Sequence, residues 1–508
     1  MEDLRWILDM KQLEEKAKET QKGHHSIYKV PPYLSDLNKK AYMPQIVSFG
    51  PYHHEDPQCK GMQEHKLRAL FQFVKRSGKP IERYKSELEK VVNQLVDSYD
   101  ELDKPRKSDS DPFLCLMILD GAFVLEIMKT ATGKSNDYPP DDPIFGDHGN
   151  LYYVPFIRRD MLLIENQIPM LVLMTLLHVH DQKPHQAEDK KSDQGTKMSS
   201  SEQRPAGKKE LPAATFVPIE GKTTQDAENP RRTEHNINTR PPWIPREVEE
   251  DLKKLVLKFF FDHGDMKVGE EPCLHLLDLY RKTMLGGDGG ATPTTTNKPK
   301  SWHQRLLDLC FATKNDDDDD DEGSPTLEIM RSATELDEAG VDFKRLKTQN
   351  INAITFYNGV LCLPTLVVDD HTESTFLNLM AFERLHVGTK NQIASYICFM
   401  DNIIDSAADV AILHKQGIIQ NAAGSDKAVA SLFNQLAKEV PLDSESSLHD
   451  VEKHVNDYCK QKLNQWRADL CHNYFTSPWA LISFLAGVFL LVLTVVQSVY
   501  SISDFYRK

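Results

Sequence analysis

The sequence predicts a mainly α-helical body with a small antiparallel β-hairpin, polar disordered inserts and one C-terminal transmembrane helix. Three observations predict it. Apolar residues recur at helical spacing through most segments rich enough to fold. An Asn358-Gly359 pair sits between two runs of branched and aromatic residues. No charged residue falls between Asn473 and Ser503.

The opening, MEDLRWILDMKQLEEKAKET, places Leu4, Ile7, Leu8 and Leu13 among Asp3, Arg5, Asp9 and Lys11. That is an amphipathic segment over 1–26 and not the apolar centre of a secretory signal. Within 27–180, the first half of the folded body, Leu114, Met117, Ile118, Gly121, Phe123, Val124, Leu125 and Ile127 predict a deeply buried helix. Leu162 to Leu177 make a second such stretch, interrupted at Pro169 and too short to span a bilayer.

Residues 181–242 are rich in Lys, Gln, Glu, Ser, Thr and Pro and cannot offset their ordering entropy by burial. The second half, 243–472, contains two further spacers. One is a Gly/Thr/Pro linker over 286–301, and the other, 315–323, holds six consecutive aspartates. An unbroken acidic run lacks the alternating ligands and turn glycine of a Ca²⁺ loop, so it reads as a solvated, self-repelling loop. Ile351 to Val368 reads as strand-turn-strand about Asn358-Gly359, with Pro364 at an edge or bulge, and Asp369 to Thr372 can cap the following helix. Ile393, Tyr396, Ile397, Met400, Ile403 and Ile404 form a helical stripe that Val410 and Leu413 continue. Val429, Leu432, Phe433 and Leu436 form another, and Val455, Tyr458, Cys459, Leu463 and Trp466 a last one. The halves 27–180 and 243–465 are expected to pack as one discontinuous unit.

The final segment, 473–508, reads as a transmembrane anchor and short tail. Trp479 to Val499 is long enough for a hydrocarbon core of about 30 Å, with Trp479, Ile482, Phe484, Val488, Leu490, Leu493, Val496 and Val499 facing lipid. Basic residues on its two sides nearly balance. The economical topology is a tail anchor in the plasma membrane or an endomembrane, with the body in the cytosol and the bilayer as a partner.

Chemistry is sparse. The net charge of −15 argues against a general nucleic-acid binder. Phosphate-cradling, zinc-protease and serine-hydrolase motifs do not occur. Eight scattered cysteines form no C-x-x-C pair, and Cys115, Cys362 and Cys398 lie inside apolar runs as small core hydrophobes. His53-His54, with Glu55 or Asp56, is the most tempting metal pair, but a turn with structural histidines is the preferred reading. Asp120, Glu126, Asp160 and Glu165 border apolar runs as structural carboxylates, Glu165 with Arg158 or Arg159 as its partner. No catalytic residue, cofactor, metal or small-molecule substrate is expected.

Several stretches resemble the plant family called domain of unknown function 247, or uncharacterised protein family 0481. They are IYKVPPYLSDLNKKAYMPQIVSFGPYHH (Ile27 to His54), MQEHKLRAL (Met62 to Leu70), MILDGAFVLEIM (Met117 to Met128), DMLLIENQIPMLVL (Asp160 to Leu173) and LLDLYR (Leu276 to Arg281). ATELDEAGVDFK (Ala333 to Lys344), LPTLVVDDHTESTFLNLMAFE (Leu363 to Glu383), YICFMDNIID, the GII at Gly417 to Ile419 and YFTSPWALIS continue the likeness in order. Ala122 stands where the family commonly has cysteine, so no thiol function is carried over there.

The resemblance implies a single-pass membrane-associated protein without established enzymatic activity, in a family some of whose members look like pollen-side self-incompatibility determinants. The expectation is therefore a membrane-anchored recognition protein with an unidentified protein partner. The alternative is a membrane-tethered enzyme using His53, His54 or the Glu165 region; a scaffold role differs only in the permanence of its partner. An enzyme would gather those groups in one concave pocket.

Overall fold

The structure, a computed structural model, describes residues 25–36, 38–100, 102, 110–134, 137–182, 240–261, 269, 271–286, 330–440, 447–461 and 478–507. Most of the expected N-terminal amphipathic segment, the 181–242 insert and the 286–301 linker lies outside them, as do the whole acidic run and Leu463 and Trp466. The described parts of Met1–Asp181 and Ile237–Lys508 form one compact unit.

The chain enters as an extended strap. Ile27 makes a parallel bridge to Tyr99, and two single-turn helices follow, α1 (Pro32–Ser35) and α2 (Lys39–Tyr42). Next come α3 (Gln63–Ser77), α4 (Ile81–Glu89), α5 (Val92–Asp97), the long α6 (Ser110–Ala131), α7 (Asp147–Tyr152), α8 (Val154–Asp160) and α9 (Met170–Asp181). As the apolar crowding predicts, α6 and α9 are buried, and α9 starts immediately after Pro169. They approach closely because residue 121 has no side chain: a Cβ there would stand 2.5 Å from Leu176 Cδ1 and 3.1 Å from Val172 Cγ1.

Beyond the insert, α10 (Arg246–Phe261) and α11 (Leu276–Met284) lead to α12 (Ala333–Glu338), which opens with a capping box of Ser332 and Glu335. Three short strands follow: β1 (Asp342–Leu346), β2 (Thr355–Tyr357) and β3 (Val360–Pro364). β2 and β3 are the expected hairpin, with Tyr357 opposite Val360 across a two-residue turn. Asn358 and Gly359 both adopt positive φ, 51° and 78°, as a turn of mirror-image type I requires. The wider pairing differs from the expectation. β1 lies parallel to β3, so β3 is central and Pro364 ends an inner strand where an edge or bulge was foreseen. A second pair, β4 (Leu366–Val368) and β5 (Ile419–Asn421), is also parallel.

α13 (Thr372–Leu385) follows the Asp369 turn, where Asp369 Oδ1 accepts from the His371 N–H and the Thr372 hydroxyl. The stripe read as continuous from Ile393 to Leu413 is two helices, α14 (Gln392–Ile403) and α15 (Ala407–Lys415). They divide at a capping box of Ser406 and Asp409, which supplies the backbone with side-chain partners. α16 (Asp426–Leu436) and α17 (His449–Lys460) complete the body.

Two apolar cores hold these elements, and both draw on both halves of the chain. The first combines Ile27 and Phe49 of the strap with α3, α4, α6 and α9, and is closed by Leu252 and Phe259 of α10 and Leu279 of α11. The second combines Val30, Leu34 and Tyr42 of the strap with Leu162 and Ile164, the three-stranded sheet and α13 to α17. α10 serves both, sending Leu257 and Phe261 to the second.

The chain closes with α18 (Pro478–Arg507), a helix where one was expected, but its transmembrane assignment is overturned. Among the described residues no helix is long and apolar enough to cross a membrane. The lipid contact assigned to Trp479, Ile482, Phe484, Val488, Leu490, Leu493, Val496 and Val499 falls with it, and so does the single-pass membrane localisation.

Candidate functional site

The motif residues that looked most like chemistry are buried joints between distant segments. Asp160, at the end of α8, accepts from the N–H groups of Gln45, Ile46 and Val47 at 2.8–3.1 Å and from Arg159 at 2.8 Å. Burial raises its carboxyl above the ordinary range, while those N–H groups and the guanidinium pull it back. Asn166 accepts from Phe49 N–H and donates to the Val47 and Asp160 carbonyls. Gln167 donates to the Met161 and Leu163 carbonyls and accepts from Leu277 N–H. Asn378 joins three segments, accepting from Ile164 N–H and donating to the Ala41 and Ser374 carbonyls. Glu383 does the same for α11, α13 and α14, pairing with Arg281 and accepting from the Ile393 and Ala394 N–H groups.

The carboxylates of α6 behave alike. Asp120 meets Lys66 and the Gly50 N–H, and Glu126 is held by Arg76 through both oxygens and by the Tyr138 hydroxyl. Each group satisfies its partner in a dry place, which is what a buried polar group must do.

Glu165 does not pair with an arginine. Its Oε1 accepts from the Val30 N–H at 2.6 Å and its Oε2 lies 2.9 Å from His53 Nε2. Arg159 turns instead to Asp160 and to the Lys40 and Met43 carbonyls, and Arg158 lies over the Phe259 ring at 4.7 Å. The other His53 nitrogen, Nδ1, lies 2.9 Å from Asp56 Oδ2. Two carboxylates can only accept, so both ring nitrogens donate and the ring is an imidazolium. Burial disfavours that charge, but the hydrogen bonds and charges of Glu165 and Asp56 outweigh it and raise the His53 pKa above 6.5. Both nitrogens are thereby occupied, which removes His53 as a metal ligand. His275, by contrast, is buried and neutral, pushed down to about 4, accepting from Asp278 N–H and donating to the Ser26 carbonyl as the cap of α11.

Other readings change as well. Among the described cysteines all are free thiols; Cys115 is exposed on α6, and Cys362 and Cys398 are only partly buried, so the core assignment of these three is corrected. Local apolar neighbours did not reveal which helix face each thiol occupies.

What the sequence did not disclose is a cavity of about 350 Å³ between the two halves of the body. Phe260, Phe261 and Tyr280, from α10 and α11, make one wall, with Tyr280 stacked on Phe261 at 4.8 Å and edge-on to Phe260 at 5.6 Å. Phe376 of α13 and Tyr396 of α14 make another. Arg158 and Arg159 of α8, with Asp369 and His371, supply its charged and titratable lining. None of His53, His54, Asp56 or Glu165 lines it.

Beside the cavity runs an exposed aromatic ridge. Leu151 is 66% exposed, Tyr152 57% and Phe156 40%, with Tyr153 at their junction. The His148 ring bridges Tyr152 and Tyr153, and Phe156 meets the ring of His371, itself a cavity residue, at 5.4 Å.

Comparison with known proteins gives a consistent picture. The family model described as a plant protein of unknown function, DUF247, matches residues 27–493. A UPF0481 protein of Arabidopsis thaliana is 28% identical over 496 residues, covering 94% of this chain and 86% of that relative. A putative UPF0481 protein of the same plant is 24% identical over 529 residues, covering 98% and 94%. No solved structure matches. The matched span takes in the strap, both cores and every buried joint described above, and the chain belongs to DUF247, a family of plant proteins of unknown function.

Proposed function

We propose that this chain is a recognition protein that holds another protein on the ridge formed by α7 and the start of α8. The supporting observation is the exposure of Leu151, Tyr152, Tyr153 and Phe156 side by side. Contiguous exposed apolar side chains are uncommon on a monomer surface without a binding role, and tyrosine and phenylalanine are favoured at the buried centre of interfaces. The enzymatic alternative is weakened, since His53 and Glu165 are engaged with each other, with Asp56 and with the Val30 N–H, and none of His53, His54 or Glu165 lines the cavity. A self-incompatibility role is a narrower form of recognition, and exchange of the ridge between family members would then alter pollen acceptance.

The test is proximity labelling in plant cells with full-length protein, comparing wild type with a Tyr152→Ser/Phe156→Ser variant. A Leu67→Ser variant, altered at another exposed apolar site, serves as control. The ridge variant is expected to lose neighbours that wild type and control share. An unchanged set of neighbours overturns the reading.

A further inference from the structure

We infer that the valine stripe of α18 is a self-association surface, through which three or more copies of this chain join in a helical bundle. The inference does not depend on the recognition reading.

α18 carries apolar surface that the rest of the described chain does not cover. None of its described side chains belongs to either core. Among them eleven large apolar side chains are exposed, from Ile482 to Tyr500. Together they present on the order of 1,000 Å², above the roughly 300–600 Å² of the largest apolar patch on a typical monomer. That area also reaches the roughly 800 Å² that each partner gives to a stable interface.

Spacing selects the occupant. Val488, Val492, Val495 and Val499 follow one another at alternating steps of four and three residues, and are 46%, 51%, 55% and 60% exposed. At about 100° per residue they fall within roughly 60° of arc on one face of the helix. Leu481 and Leu485 before them, and Ile502 and Tyr506 after them, keep the same register in the sequence. Ser483, Thr494 and Gln497 stand at positions on the opposite face, so the least apolar side of α18 lies away from the valines. Apolar residues at this period are the a and d positions that helices bury against one another. Every copy of the chain brings an identical stripe, so a second copy supplies the matching pattern without any further condition.

The residues in and beside the stripe set the number of copies. β-branched side chains occupy both the a positions, Val492 and Val499, and the d positions, Val488 and Val495, a pattern that favours more than two strands. Phe489, Leu491 and Val496, at the flanking e and g positions, are exposed as well. Two helices would leave these three in water, whereas a larger bundle covers them. No charged residue stands between Trp479 and Ser503, so identical helices meet without like-charge repulsion.

The experiment is sedimentation velocity of the full-length protein. Wild type is expected to sediment as an assembly of three or more chains. Val492→Lys/Val495→Lys places charge in the seam and should leave monomers at concentrations at least a hundredfold above that at which wild type associates. Leu490→Lys/Thr494→Lys, with the same charge on the opposite face, should leave the assembly intact. A second pair guards against loss of the helix itself: under air oxidation Val495→Cys should give disulfide-linked chains above the wild-type background, and Gln497→Cys should not. A wild type that stays monomeric overturns the inference, whether it remains free or is taken up by phosphatidylcholine vesicles. Equal behaviour of the two lysine variants, or of the two cysteine variants, overturns it too.

Discussion

Lys66 and Asp120 form an ion pair of 2.6 Å with neither side chain exposed at all. The lysine also donates to the Ser48 carbonyl and the aspartate accepts from the Gly50 N–H, so one buried contact fastens the strap to both α3 and α6.

Removing one member leaves the other charge in a dry core. Lys66→Met is therefore expected to cost about 3–5 kcal/mol. Lys66→Met combined with Asp120→Leu should recover much of that loss. Urea denaturation of the two variants checks it, and a double variant no better than the single one would show that the strap contacts, not the charge, carry the cost.

The hairpin turn predicts a second loss. Gly359 sits at φ 78°, and a Cβ there would come about 2.5 Å from the Tyr458 hydroxyl of α17. Gly359→Ala should lower stability by about 1–3 kcal/mol through strained φ, with the clash added to it. Tyr458→Phe should relieve only part of the clash, since the ring Cζ would still stand 2.8 Å away, and a double-mutant cycle of unfolding free energies resolves that part from the strained φ.

His53 makes stability depend on pH. Its folded pKa is raised above 6.5, so its contribution is fully present below that unfolded value and is lost as pH rises through the folded one. His53→Gln should therefore be much less stable than wild type at about pH 6, and the gap should narrow by about pH 9. Denaturation midpoints at the two conditions measure it; a gap of constant size refutes the imidazolium bridge.

The shared cores bear on truncation. Residues 1–181 alone lack Leu252, Phe259 and Leu279 of the first core and nearly all of the second. This fragment is expected to unfold without a cooperative transition and to bind a hydrophobic dye. A sharp two-state transition by circular dichroism would mean that the first half is self-sufficient.

Features set by neighbouring residues were legible in the sequence. The Asn358-Gly359 turn, the burial of α6 and α9 and the Asp369 turn all follow from a few adjacent side chains. Partnerships across long stretches of chain were not. Glu165 was matched to Arg158 and Arg159 because they are close in sequence, yet it reaches Val30 and His53, 135 and 112 positions away. The parallel pairing of β1 with β3, and of β4 with β5, likewise has no local signal. The cavity was hidden for the same reason: its walls come from α10 and α14, more than a hundred residues apart, and each aromatic alone reads as ordinary core. The apolar run at the C-terminus was legible as a helix, but the membrane crossing drawn from it was not sustained.

The strap also governs when folding can finish during synthesis. Ile27 and Phe49 can be sealed once the ribosome has delivered Leu279, but Val30, Leu34 and Tyr42 belong to a core that ends with Cys459. At roughly 5–20 residues per second, translation of the intervening stretch takes about 10–40 seconds. For that interval a greasy N-terminal edge waits beside an already closed first core, the natural window for a chaperone to hold the nascent chain.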